Sequence, residues 1–418
     1  MTENRRRLIQ LGLLIITIFT TTFAGVEWIW GRFLFWGEHT MSWNDFKDGL
    51  AFSLPFLLIL TCHEFGHYFT ARYHQIKTSL PYYIPLWFGF ILVPSIGTMG
   101  AIIRIRESIV SRIKYFDVGV SGPIAGFVVA LGVLWYGYTH LPETEYIYEV
   151  HPEYELFGLE FEQRMEGLDT IILKSDLNQQ RYNTEVYQDV IQIGDYSYKS
   201  DTTVLTGSGI QFGDNLMMML ARNLWAPSDR YVPTGKEIMH YPWLLAGFLA
   251  LFFTALNLLP IGQLDGGHVT FGLLGSVWHD RISKVLFVGL VFYSGLGWIT
   301  MNQVASDTSE EMLAFIFQVI LYLYLVYLSA YSLLENRNDR LMFAAIMLGV
   351  QFVLSSFFGL EGYQGWLVFA VLLGRVIGIK HPPVADNTPL TLGRKVLGWL
   401  ALIIFILCFS PEPMIVGG

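Results

Sequence analysis

Apolar runs of near-spanning length recur along the chain at roughly 8–30, 48–72, 116–138, 241–262, 284–302, 312–334, 341–358, 364–379 and 396–410, separated by short polar breaks. A bilayer core needs about 20 apolar residues per helix. The pattern therefore predicts an all-α polytopic membrane protein with about nine transmembrane helices. Two stretches do not fit it. Residues 79–106 are apolar and aromatic but broken by Pro81, Pro85 and Pro94 and by Gly89, Gly97 and Gly100. Their Tyr82, Tyr83, Ile84, Trp87, Phe88, Phe90 and Val93 favour strands. Non-helical backbone at membrane depth must be buried in protein or line a wet cavity. The expectation is a re-entrant membrane hairpin, with an irregular amphipathic loop as the alternative. Residues 139–240 are polar. Alternating stretches such as Val190-Ile191-Gln192-Ile193 predict strands, so this is expected to be a mixed or β insertion. Within it, Asn215–Leu224 predicts a short amphipathic helix able to lie on a membrane surface.

Charge orients this arrangement. The chain is 53% hydrophobic and 15% charged, with a net charge of −9. Residues 139–240 hold seventeen Asp and Glu against seven Lys and Arg. That block carries −10 and leaves the remainder near +1, so no basic stripe is offered to nucleic acid. Arg5, Arg6 and Arg7 precede the first run, and Trp28 and Trp30 close it. This reads as a retained signal-anchor helix with a cytoplasmic N-terminus. Arg72, Lys77, Arg104, Arg106, Arg112 and Lys114 then mark the cytoplasmic side again, and the acidic block falls outside. Cys62 and Cys408 lie far apart in apolar runs and give no disulfide framework.

The second run carries His63-Glu64-Phe65-Gly66-His67. Histidines four apart share a helix face, so both imidazoles can bind one metal ion. Glu64, in the same turn but about 100° away, can reach a metal-bound water without being a ligand. The fourth run ends in Asn257-Leu258-Leu259-Pro260-Ile261-Gly262, followed by Gln263-Leu264-Asp265-Gly266-Gly267-His268. Pro260, Gly262, Gly266 and Gly267 break the helix around a lone carboxylate, and broken helices at membrane depth commonly build sites. Both runs point inward, so Asp265 reaches the depth of His67 and can complete a His, His, carboxylate set with a fourth position for water. His268 reads as a plain interfacial histidine before a ligand. The small-residue face Gly122-Pro123-Ile124-Ala125-Gly126 allows close helix packing.

With those two motifs in this order, flanking an extramembrane insertion, the sequence resembles the site-2 protease family, intramembrane zinc metalloproteases, over about residues 48–280. Gly97-Thr98-Met99-Gly100-Ala101 and the Gly122–Gly126 stretch are similar to a branch with plastid and bacterial members. The resemblance implies one catalytic zinc ion held by His63, His67 and Asp265, with Glu64 as the catalytic base and Asn257 positioning the substrate strand. It also implies hydrolysis within or near transmembrane segments of membrane-protein substrates, that is, regulated intramembrane proteolysis. Where the family usually has a second proline, this chain has Gly262, which leaves the ligand intact and loosens the turn that positions it.

The expected organisation is a signal-anchor helix and short external loop at 1–47, then a first half of the catalytic core at 48–138. The acidic extracytoplasmic domain at 139–240 and the second half of the core at 241–280 follow, and additional transmembrane helices occupy 281–418. The expected location is a bacterial plasma membrane, since the N-terminus is not transit-like, although a mature organellar protein would read the same. Two other functions are open: a metal-site membrane transporter, which leaves Glu64 unexplained, and an inactive family member acting as a scaffold, for which all four motif side chains would be superfluous.

Overall fold

A computed structural model of the chain describes residues 3–35, 40–93, 95–151, 154, 170–173, 184–187, 190–193, 203–206, 210–304 and 309–416. Most of the interior of the acidic region lies outside these. The protein is mostly helical. The first helices are α1 (Glu3–Trp30), α2 (Trp43–Tyr73) and α3 (Arg112–Thr139). A short α4 (Leu216–Trp225) follows, then α5 (Pro242–Leu258) and α6 (Asp265–Gly295). The last four are α7 (Ser309–Ser329), α8 (Arg337–Phe358), α9 (Gly365–Leu372), which runs on as one π-helical stretch Leu373–Ile377, and α10 (Leu392–Cys408).

Among the described residues, five helices (α1, α2, α3, α7 and α8) are long and apolar enough to cross a membrane. Two shorter apolar helices, Pro242–Leu258 and Gly365–Ile377, fall below that length. The run expected at 284–302 begins in the part of α6 that follows Gly275, where φ of 81° and ψ of 177° are non-helical and divide α6 into two helical pieces. Length alone therefore does not return nine crossings.

Two apolar cores organise the helices. The first joins α2, α3, α5 and α10 through Phe52, Phe116, Leu134, Tyr138, Leu245 and Ile404. The second joins α6 to α7, α8 and α9 through Phe287, Val291, Tyr322, Ala344 and Leu373. The start of α2 is fixed by Ser42 and Asp45, each side chain bonding the other's backbone N–H. Arg32 pairs with Asp45 at 2.6 Å. At the far end of the bundle, Arg394 of α10 grips Asp117 of α3 with two bonds of 2.7 and 2.9 Å, and His74 meets the same carboxylate at 2.8 Å.

The proline- and glycine-broken stretch forms an antiparallel hairpin, β1 (Tyr82–Leu86) and β2 (Gly97–Ile102), with the register shifting between Tyr83 and Pro85. The first helix cradles it. Gln10 Nε2 donates to Leu80 O at 2.7 Å, Thr20 Oγ1 to Gly97 O at 2.7 Å, and Trp28 Nε1 to Ser95 O at 2.8 Å. Glu27, buried in α1, accepts from Trp87 Nε1 at 2.6 Å. Thr61 of α2 and the Tyr83 hydroxyl bond at 2.7 Å.

In the acidic region, strands β3 (Thr170–Leu173), β4 (Thr184–Tyr187), β5 (Val190–Ile193) and β6 (Thr203–Thr206) form one mixed sheet in the order β4-β5-β3-β6. β3 runs parallel to β5 and antiparallel to β6. β7 (Ile210–Phe212) pairs with β8 (Met414–Val416), which brings the C-terminal tail to the edge of this region. The helix expected at Asn215–Leu224 is α4, capped by the Asn215 side chain at 2.9 Å from Met218 N. Met218 and Ala221 are buried in the first core, so one face of α4 is docked on the bundle.

Candidate functional site

His63 and His67 sit on the buried face of α2 and point between α3 and α6. Close approach of α3 makes this possible. A Cβ on Gly66 would lie 2.6 Å from Ser121 O, and one on Gly122 would lie 2.1 Å from His67 Nε2. Gly126 similarly faces His63, with a Cβ 3.1 Å from that residue's own Cβ. The small-residue face of α3 is thus the floor beneath the two imidazoles.

Asp265 comes from the other half of the core. α5 ends at Leu258, and the chain turns through Pro260–Leu264 before α6 begins at Asp265. The carboxylate therefore occupies the first turn of a helix, where the positive end of the helix dipole favours it. The turn is held firmly. Gly262 has φ of 59°, in the left-handed region, and a Cβ there would lie 2.0 Å from Gly378 O. Its N–H donates to Ser283 Oγ at 3.1 Å, and that hydroxyl donates to Ile379 O at 2.6 Å. Gln263 Nε2 reaches Ile377 O at 3.3 Å. The expected loosening is corrected by this geometry: proline, fixed near φ of about −65°, is excluded here, and the glycine lets the segment after α9 press against the turn.

His63, His67 and Asp265 converge on one point. The two Nε2 atoms are 3.0 Å apart, and Asp265 Oδ2 lies 3.2 Å from His67 Nε2 and 3.6 Å from His63 Nε2. Ligands at about 2.0–2.1 Å around a tetrahedral zinc are separated by about 3.3–3.4 Å, which the three distances bracket. His67 Nδ1 bonds to Val118 O at 2.7 Å. A proton on Nδ1 leaves the Nε2 lone pair directed at the shared point, and such a backbone partner is the usual support of a metal-bound imidazole. The donor set, spacing and orientation fit a zinc ion.

The point opens on a cavity of about 550 Å³. Glu64 lines it beside His63, His67 and Asp265, and its carboxylate faces the backbone of Ile103. Met99 to Ile103, the last four residues of β2 and the residue after it, form another wall. Asn257 lines it from α5, with Nδ2 3.5 Å from His63 Nε2. All five site residues predicted from the sequence therefore meet at this cavity. His268 does not. It turns away, bonds His381 at 2.9 Å through Nδ1 and stacks on Tyr115 at 4.9 Å between ring centroids. Ile377 also lines the cavity. No spacing rule brings a residue more than a hundred positions downstream to the site, so it carries no signal in the sequence.

A family model described as Peptidase family M50 matches residues 51–296. Among curated relatives, the probable zinc metalloprotease EGY2, chloroplastic, of Oryza sativa subsp. indica is 24% identical over 282 residues. That match covers 68% of this chain and 39% of the relative. The protein of the same name from Arabidopsis thaliana is 23% identical, over 61% of this chain and 35% of its own length. The probable zinc metalloprotease EGY1, chloroplastic, of Oryza sativa subsp. japonica is 22% identical, over 60% of this chain and 31% of its own length. The matches thus span between about a third and two fifths of these relatives. No solved structure matches the chain.

Proposed function

Because the chain belongs to peptidase family M50, we propose that it is an intramembrane zinc metalloprotease that hydrolyses peptide bonds within or near transmembrane segments of membrane-protein substrates. The observation that carries this reading is the convergence of His63, His67 and Asp265 beside Glu64 in one cavity walled by a strand. Metal bound there supplies Lewis acidity for activating water and for polarising the scissile carbonyl. Glu64 takes the proton of the attacking water and hands it to the leaving amine. Asn257, an amide at the rim beside His63, donates to a carbonyl of the bound substrate and fixes its register. A substrate helix must unwind before its peptide bond is accessible. The β2 wall offers backbone groups to the unwound segment by strand addition, in place of the helix bonds it loses.

The hairpin enters the membrane from the cytoplasmic side in this reading. Its tip supports that placement, since Phe90, Ile91, Leu92 and Val93 are exposed and apolar. The short helices α5, α9 and α10 and the second half of α6 complete about nine crossings. The pairing of β7 with β8 supports an arrangement with the acidic region and the C-terminal tail on one side of the membrane and the Arg5–Arg7 end of α1 on the cytoplasmic side.

The test uses full-length protein in bilayer discs and a model single-span substrate. Glu64→Gln is expected to lower kcat by roughly 10²–10⁴-fold while the zinc is retained. Asp265→Ala is expected to lose both zinc and activity. A Glu64→Gln protein that cleaves like wild type would overturn the assignment.

A further inference from the structure

A second set of three potential ligands meets at the opposite end of α2. His151 lies just past the short helical turn Tyr146–Val150, and Glu237 and His240 lie in the turn before α5. His240 Nδ1 bonds to Ile29 O at 2.7 Å, in the last turn of α1. A few residues earlier, Gly25 of α1 packs on Gly49 near the start of α2. His63 follows Gly49 by nearly four helical turns, so this cluster is about 20 Å from the cavity at 1.5 Å rise per residue.

The cluster is built like the first. His151 Nε2 and His240 Nε2 are 3.1 Å apart. Glu237 Oε2 lies 3.7 Å from each of them. Tyr154 OH donates to Glu237 Oε1 at 2.9 Å, which aims the other oxygen at the two rings. The Ile29 carbonyl does for His240 what Val118 O does for His67: it accepts a hydrogen bond from Nδ1–H and leaves the Nε2 lone pair to bind. Glu237 and His240 are buried, at 4% and 8% exposure. Calcium and magnesium prefer shells of oxygen, whereas two imidazoles and a carboxylate suit zinc and its neighbours.

We propose that His151, Glu237 and His240 form a second metal site, for a divalent cation of the zinc class, that staples the acidic region to the bundle. Its ligands bracket residues 152–236, so a bound ion closes that whole segment as one loop and anchors both of its ends beside the last turn of α1. Closing so long a loop removes conformational freedom from the unfolded chain. The site does not depend on the proteolytic reading, because its residues are separate from those of the cavity.

The experiment counts metal in the full-length chain in detergent, after equilibration with Zn²⁺ and removal of free ion. Wild type is expected to hold two equivalents, His151→Ala one, His63→Ala/His67→Ala one, and the triple variant none. Its side chain is 29% exposed, so His151 tolerates replacement better than the two buried ligands. A second readout needs no variant of the cluster: Co²⁺ added to His63→Ala/His67→Ala is expected to give the visible absorption of four-coordinate cobalt, abolished by excess Zn²⁺. A second equivalent that survives His151→Ala would overturn the proposal, and so would His63→Ala/His67→Ala protein that binds neither ion. A chain that loses its only equivalent in His151→Ala and keeps it in His63→Ala/His67→Ala would support this site while sinking the catalytic one.

Discussion

Gly122 has no side chain, and the His67 ring occupies the space one would fill. Gly122→Ala must push either the imidazole or α3 aside. The expected outcome is zinc affinity weaker by roughly 10–100-fold, the range typical of disturbing a metal-bound histidine's surroundings, read by competition with a chelator. Unchanged affinity would mean that the two helices separate freely there. Gly262→Ala is the matching change on the other half of the core. It combines a left-handed backbone with a contact on Gly378 O and is expected to destabilise by about 1–3 kcal/mol, measured as a lower Tm. These two glycines show what a residue-by-residue reading captures. His63, Glu64 and His67 are legible because their chemistry is carried by a local spacing, and Asp265 because helix breakers isolate it. Gly122 is visible only as a common small-residue spacing, which does not say that an imidazole lies against it. Gly262 reads as a weakening because the backbone pressing on it comes from residue 378, which no local rule brings near.

At the scale of elements, the hairpin and the segment after α9 hold the cavity from two sides. Tyr83→Phe removes the bond from the hairpin to Thr61 of α2 without touching a ligand. It is expected to cost about 0.5–1.5 kcal/mol and to lower cleavage of a single-span substrate while zinc content stays at the wild-type value. If zinc falls in step with cleavage, the hairpin is supporting the metal ligands and not the substrate. Ser283→Ala is the converse case. It strips a hydroxyl that satisfies both Gly262 N–H and Ile379 O. Leaving those buried groups unpaired is expected to cost about 1–3 kcal/mol and to weaken zinc retention through the Asp265 turn. The hairpin was legible because proline, glycine and β-branched or aromatic residues contradict a helix over that stretch. Its partner was not: Gln10, Thr20 and Trp28 look like ordinary residues of an anchoring helix, and only the fold reveals that α1 grips the hairpin.

At the scale of the whole molecule, the apolar pattern specifies a bundle but not its crossings. Half-helices such as α5 and α9 are short because they stop at the turns that build the site, and α6 is two helical pieces divided at Gly275. Removal of metal acts on the molecule as a whole. Prolonged chelation is expected to abolish cleavage and to lower Tm, and Zn²⁺ is expected to restore both. Recovery of activity with Mg²⁺ alone would contradict a nitrogen-rich site. The contact of Gly262 with Gly378 has one more consequence. The segment matched by the family, residues 51–296, contains every motif residue, yet it lacks the strap that shapes the Asp265 turn and the helix that grips the hairpin. A piece cut at those boundaries would carry the full signature of the family without these two buttresses. The smallest working unit is thus set by where the chain returns to touch itself, and a domain map drawn from motifs alone would divide it in the wrong places.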